Sequence, residues 1–230
     1  MTLIIITGVS RGLGHSLVEI LLQYKEKNIS LIGLSRNVPQ VAESQAFQWI
    51  QADLSDHKTI TEKISLAVQD KKVEKLIFIN NAADINPLGK VGGLKEEAIA
   101  PSIDINIVSP VIISNWLVSH FSSSKITFLN ISSGAAQRSI IGWSQYCSAK
   151  AYMEMFYTVI AEEAKEDQRN VEVVNINPGV MNTMMQEEIR GSGIETEQHR
   201  RLTDLYNTGQ LKDTRQVAQE IFENHIQKAL

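Results

Sequence analysis

The sequence predicts an α/β fold, a doubly wound parallel sheet of about six strands with helices on both faces, forming a single domain. Three observations carry that prediction. Short apolar runs rich in β-branched residues recur along the chain, amphipathic stretches with apolar residues every three or four positions separate them, and no segment rich in Pro, Gly and Ser breaks the alternation. Alternation favours parallel pairing, because a parallel neighbour needs a crossover long enough to hold a helix. A length of 230 residues suits one sizeable domain, so 1–230 is read as one unit.

Strands are expected at 3–7 (LIIIT), 30–35 (SLIGLS), 47–52 (FQWIQA), 75–80 (KLIFIN), 125–132 (KITFLNIS) and 171–177 (VEVVNIN). Most are apolar almost throughout, as strands covered on both faces should be. Helical periodicity fills 13–27 and 57–72, and 101–121 (PSIDINIVSPVIISNWLVSHF) reads as one long apolar helix. Pro110 has no N–H and cannot close the bond to the carbonyl of Asn106, so a bend is expected there, with that carbonyl left to hold a water. The stretch 182–210 is polar and contains Gly191, Gly193 and Gly209; it is expected to be an irregular excursion acting as a lid.

Composition narrows the function classes. With 43% hydrophobic and 21% charged residues and a formal charge of −4, the chain offers no electrostatic reason to bind a phosphate backbone, and no nucleic acid is expected. Cys147 is the single cysteine and cannot form an internal disulfide. The apolar run Leu3 to Ile6 lacks the flank and length of a signal peptide, and no run approaches the roughly 18 consecutive apolar residues that span a bilayer. A cytoplasmic protein without a membrane segment is the expectation. His15, His57, His120, His199 and His225 show no metal-ligand spacing, and no metal is expected.

Directly after the first strand comes TGVSRGLG, with Gly8, Gly12 and Gly14 opening a helix and Ser10 and Leu13 in the same turn. Glycines there let backbone approach a ligand, and a helix N-terminus favours a pyrophosphate, although a ligand-free tight turn would use the same residues. In a Rossmann-type sheet an acid ending the second strand would hold the adenosine ribose, whereas cations there accommodate a 2′-phosphate. Ser35 and Arg36 stand at that place, and Arg11 lies inside the glycine turn, so NADPH is favoured over NADH unless both arginines are merely solvated charges. Asp53, followed by Leu54, either accepts from an adenine amino group or caps a helix.

In WSQYCSAKAYMEMF (143–156), Tyr146 and Lys150 stand four residues apart and share a helix face. An ammonium beside a phenol should lower its pKa and make Tyr146 a proton donor, although an isolated YxxxK arises by chance in many helices. Ser133 ends the fifth strand at the edge where ligands bind in open α/β sheets, and serves there either as a hydrogen-bonding hydroxyl or as a turn residue.

Taken in order, TGVSRGLG, NNAA (80–83), Asn106, Ser133, Tyr146, Lys150 and NPGVMNT (177–183) resemble the motif set of the single-domain short-chain dehydrogenases/reductases, from residue 3 to about residue 225. The resemblance implies that Tyr146 protonates a carbonyl oxygen and Ser133 positions that carbonyl. It also implies that Lys150 lowers the tyrosine pKa and holds the nicotinamide ribose, and that Asn106 holds the water of a proton relay. Asn80, Asn81, Ala82, Pro178, Gly179, Val180 and Thr183 would contact the cofactor, with Ala83 replacing the family's glycine. Within the family, residues 132–156 and 178–190 are most similar to benzil reductases and to the related sepiapterin reductases. Leu230 follows soon after the helical pattern at 214–228, where a last strand and tail would be expected. No equivalent of the tail carboxylate that anchors a pterin is found, which turns the expectation toward ketones and diketones. Gly134, Ala135, Trp143, Met184 and Met185 are the candidate substrate contacts, small or apolar, although Trp143 and the methionines would serve equally as packing under the lid. The resemblance also implies a homodimer or homotetramer. A reading from another class, a non-catalytic regulator that senses NADP(H), would need the glycine turn but not the Ser, Tyr and Lys set.

Overall fold

The computed structural model describes residues 1–24, 28–42 and 44–230. The last three residues of the helical pattern expected at 13–27 lie outside them. Six parallel strands form one sheet in the order β3-β2-β1-β4-β5-β6. They are β1 (Thr2–Thr7), β2 (Ile29–Ser35), β3 (Phe47–Gln51), β4 (Lys75–Asn80), β5 (Lys125–Ile131) and β6 (Val171–Ile176), each within two residues of its expected bounds. The chain steps outward from β1 to β3, then returns to place β4 on the other side of β1. That reversal opens a crevice at the carboxyl ends of β1 and β4.

On one face pack α1 (Gly12–Gln23), α8 (Thr214–Ile221) and α9 (Gln227–Ala229), the last joined to α8 by a π segment at Phe222–Ile226. On the other pack α2 (Ile60–Val68), α4 (Ser109–His120) and α5 (Ser144–Glu166). Two apolar cores result. Leu17, Ile77 and Val217 belong to the first, and Phe78, Phe128, Leu117 and Tyr157 to the second, so every central strand is buried on both sides. Across β4, β5 and β6, Asn80 donates to Asn130 at 3.0 Å and Asn130 to Asn175 at 2.8 Å, a ladder that satisfies polar groups inside the sheet.

The long helix expected at 101–121 exists, and begins earlier: α3 (Glu96–Ile103) runs through a π segment at Asp104–Val108 into α4. The Ser109 N–H reaches back five residues to the Asp104 carbonyl. Pro110 accounts for the wide turn, since it has no N–H with which to continue the regular ladder. As one run of 25 residues this helix is long and apolar enough by composition to cross a bilayer. Its Ile113 and Leu117 are fully buried against the sheet, the placement of a core helix.

The stretch 182–210 is not irregular. It contains α6 (Met184–Gly191) and α7 (Glu197–Asn207), which bury Ile189 and Leu202 in a small third apolar cluster with Ile85, Ala135, Trp143 and Tyr146. These helices expose mostly charged faces and bury few residues each, so their periodicity is thin.

Candidate active site

A cleft of about 1150 Å³ lies along the carboxyl edge of the sheet, between the glycine turn, the end of β5 and α6. It is lined by Gly8, Ser10, Arg11, Gly12 and Leu13 of the turn, by Ser35, Arg36, Asp53 and Leu54 beyond β2 and β3, and by Asn81 and Ala82 after β4. Ser133, Gly134, Ala135, Trp143, Tyr146 and Lys150 line its other half, with Pro178, Gly179, Val180, Thr183, Met184 and Met185 above them.

The glycine turn is built to bring backbone close. Gly8 and Gly12 have φ of +76° and +60°, where a side chain would be strained. A Cβ on Gly14 would stand 2.3 Å from the Gly8 carbonyl oxygen and 2.5 Å from the Asn81 amide. Gly14 therefore serves packing and does not line the cleft. The start of α1 has no side-chain cap and no acid in its first turn, which leaves N–H groups for an anion and fits a dinucleotide pyrophosphate. Thr7 holds the neighbouring strand end, its hydroxyl accepting from the N–H groups of Asn81 and Ala82 at 3.0 Å each, while the Asn81 amide donates to the carbonyls of Thr7 and Gly8 at 2.8 and 3.2 Å.

Several of the expected residues are held by contacts within the chain. Asn80 does not line the cleft; its side chain points into the asparagine ladder, because that ladder is where a buried amide at the strand end finds a partner. Asn106 does not line it either. Its Oδ1 accepts from the Asp84 N–H at 3.0 Å and its Nδ2 donates to the Asp84 carbonyl at 2.8 Å and to Ser102 at 3.2 Å, so its amide clamps the loop after β4. The Ser35 hydroxyl is committed to the Asn37 carbonyl and to the Trp49 indole, at 2.7 and 3.1 Å. Asp53 caps its own turn through the N–H and hydroxyl of Ser55, at 2.9 and 2.8 Å. Burial works against its charge, but those bonds and the Arg36 guanidinium outweigh burial and hold the carboxyl below its ordinary value. Arg11 is engaged by α6, with Nη1 at 2.9 Å from the Met184 sulfur and Nη2 at 3.9 Å from Glu188.

The sequence reading missed Thr7, Asp84, Arg138, Gln186, Gln198 and Arg201. All but Thr7 line the cleft, and Thr7 supports it from behind. Thr7 stands inside the glycine motif and could have been found there. The others face the cleft only through tertiary packing.

At the reacting end, Tyr146 and Lys150 are 7% and 6% exposed. The ammonium lies 5.6 Å from the centre of the phenol ring and donates to the Ile131 carbonyl at 2.7 Å. Burial pushes the Tyr146 phenol up to about 12, a hydrogen bond with Ser133 pulls it back, and Cys147 adds to the rise. In the resting site removal from water is the largest influence on this phenol, and Lys150 is not among the groups that lower it. Burial also pulls Lys150 down to about 8, against the attraction of the Glu154 carboxylate. The same low polarity disfavours both charged forms.

Comparison with known proteins matches residues 2–192 to the family model for the short chain dehydrogenase. The chain is a short-chain dehydrogenase/reductase. It is similar to benzil reductase ((S)-benzoin forming) of Bacillus subtilis, 33% identical over 218 residues that cover 92% of this chain and 88% of the relative. It is also similar to sepiapterin reductase of Xenopus tropicalis, 27% identical and covering 96% and 90%. Among solved structures, a short-chain dehydrogenase/reductase of Saccharomyces cerevisiae superposes with a TM-score of 0.80 at 25% identity, covering 94% of this chain and 86% of that one. As a member of this family the chain is an oxidoreductase that acts on the CH–OH/C=O couple with a nicotinamide cofactor.

The lysine shift sets a pH dependence of stability. Because Lys150 falls from 10.5 to about 8 on folding, the unfolded chain binds that proton more tightly, and stability rises with pH between those values. Lys150→Met removes this rise. In denaturant titrations the stability of Lys150→Met relative to wild type is expected to be greatest near neutral pH and to shrink as pH approaches 10.5; a difference that grows with pH would contradict the burial of a charged lysine.

Proposed function

We propose that this short-chain dehydrogenase/reductase is an NADPH-dependent carbonyl reductase for ketones and diketones of the benzil type. The observation that carries this reading is the convergence of Ser133, Tyr146 and Lys150 on one end of the cleft, beside the apolar wall of Ile85, Ala135, Ile140, Trp143 and Met185. An apolar wall with a few polar groups at one point suits a ketone flanked by aromatic or aliphatic groups.

A bound reduced nicotinamide would supply the hydride. The chain's own part is to bind, orient and deliver a proton. Ser133 orients the carbonyl oxygen toward the phenol, and Tyr146, neutral until about pH 12, gives its proton to that oxygen. As the proton leaves, negative charge grows on the phenol oxygen, and the Lys150 ammonium stabilises it. The Trp143 and Ile189 cluster keeps water from this end of the cleft. The preference for NADPH rests on Arg36 at the end of β2, with no acid there to hold a ribose hydroxyl. The helices of 182–210 act as the lid. A dimer is part of the proposal: Tyr152, Met155 and Val159 share one face of α5 and are 47%, 64% and 45% exposed, an apolar surface suited to a second copy.

With benzil and a panel of aromatic ketones, wild type is expected to oxidise NADPH, and Tyr146→Phe to lower kcat/KM by about 10²–10⁴-fold with cofactor binding retained. Binding without turnover of any substrate, unchanged by that substitution, would favour a non-catalytic sensor instead. Arg36→Ala is expected to weaken NADPH by roughly 10–100-fold in a fluorescence titration and to leave NADH nearly unchanged; equal losses would place the 2′-phosphate elsewhere. Sedimentation should give a dimer or tetramer for wild type and a smaller species for Met155→Glu, and identical masses would remove α5 from the interface.

A further inference from the structure

Three consecutive residues at the end of β5 each meet α5. The Ile131 carbonyl accepts from the Lys150 ammonium at 2.7 Å, the buried Ser132 hydroxyl donates to the Glu154 carboxylate, and Ser133, whose hydroxyl accepts from the Ala135 N–H at 3.1 Å, lines the cleft with Tyr146 and acts to lower its pKa. On α5 the partners fall at 146, 150 and 154, one turn apart on one face. The proposed chemistry uses the first and last of these contacts and leaves the Ser132–Glu154 bond without a role. Ser132 is not free to follow a moving partner, since its N–H is held by the Ile176 carbonyl at 2.7 Å.

Glu154 is also the charged group that acts on Lys150. Acids on the neighbouring elements are engaged elsewhere: Asp104 of the π segment faces His57 at 3.7 Å, and Asp84 accepts from the N–H and amide of Asn86 at 3.0 and 3.1 Å. Tyr146, one turn before Lys150, remains a neutral phenol up to about pH 12.

We propose that Glu154 is a positioning residue: anchored by Ser132, it locks the end of β5 against α5 and provides the counter-charge of the Lys150 ammonium. This deepens the carbonyl-reductase reading and takes its catalytic meaning from it. With the carboxylate removed, burial acts on Lys150 unopposed, and the ammonium loses its proton at lower pH. Glu154→Gln keeps an oxygen for the Ser132 hydroxyl and removes only the charge. Ser132→Ala removes the anchor and keeps the charge.

The test titrates Lys150 directly, by NMR of isotope-labelled lysine Cε carbons, with the resonance assigned through Lys150→Arg and neither substrate nor cofactor present. Glu154→Gln is expected to lower the Lys150 midpoint by about one pH unit, and Ser132→Ala by less. The alkaline limb of kcat/KM for diketone reduction should move down by the same interval. Glu154→Asp, which keeps the charge, should restore most of the wild-type midpoint. An unmoved midpoint in Glu154→Gln overturns the inference. Should that variant melt early, a midpoint lowered as far by Glu154→Asp as by Glu154→Ala overturns it as well. If the midpoint moves as expected but wild type reduces no ketone or diketone, Glu154 remains the counter-charge and the reductase reading falls.

Discussion

The placement of the site depends on one costly feature, a lysine ammonium held out of water at the carboxyl edge of a parallel sheet. A buried cation must be paired and hydrogen-bonded to be tolerated. Lys150 has the Ile131 carbonyl at 2.7 Å and the nearby charge of Glu154. Both are available only if α5 lies flat against β5. The apolar side of α5 ensures this, with Met153, Tyr157 and Ile160 buried in the core beneath, and the Tyr157 hydroxyl bonded at 3.0 Å to Ser114 of α4. Core packing and site geometry are therefore the same constraint read at two depths.

A second set of contacts joins the cofactor half of the cleft to the substrate half. Gly14 permits the close approach of α1 to Gly8, and the Asn81 amide binds the carbonyls of Thr7 and Gly8. Three residues further, Asp84 is clamped on both backbone groups by Asn106. Asn106 lies within the π segment, and Pro110 two residues beyond that segment is what makes a regular α-ladder impossible there. A proline chosen for no packing reason evident in the sequence thus helps to set the loop between cofactor and substrate.

The sheet was legible because its strands are near-continuous β-branched runs, a pattern that only burial on both faces requires. The glycine turn and the Tyr–Lys–Ser set were legible because each is a compact motif of fixed spacing, and the fold brings both to one cleft. Residues 182–210 were not, since α6 and α7 bury so few side chains that polarity masks their period. Asn80 was not legible as a ladder residue, because a strand-end asparagine can face a ligand or a neighbouring strand with equal chemistry, and only the matched register of Asn80, Asn130 and Asn175 decides it. Arg138, Gln198 and Arg201 carry no local signal; they meet the cleft through packing between segments far apart in the chain.

The tyrosine and lysine pose an apparent conflict. Lys150 is supposed to make the phenol more acidic, yet the phenol stands at about 12 and the ammonium at about 8, both moved toward their neutral forms by the same dry surroundings. The conflict disappears once ground state and transition state are separated. Before reaction the phenol is neutral and offers the ammonium little to attract, so the ammonium rests on the Ile131 carbonyl. In the proposed proton transfer the phenol oxygen would gain negative charge in a medium where Coulomb attraction is strong, and the nearby ammonium would then attract it. A group arranged in this way stabilises charge that develops rather than charge already present. On the proposed reading Tyr146 acts as the acid, since burial keeps its resting phenol protonated. On that reading the proton passes to a ketone oxygen, and the ammonium is already in place to stabilise the charge left on the phenol.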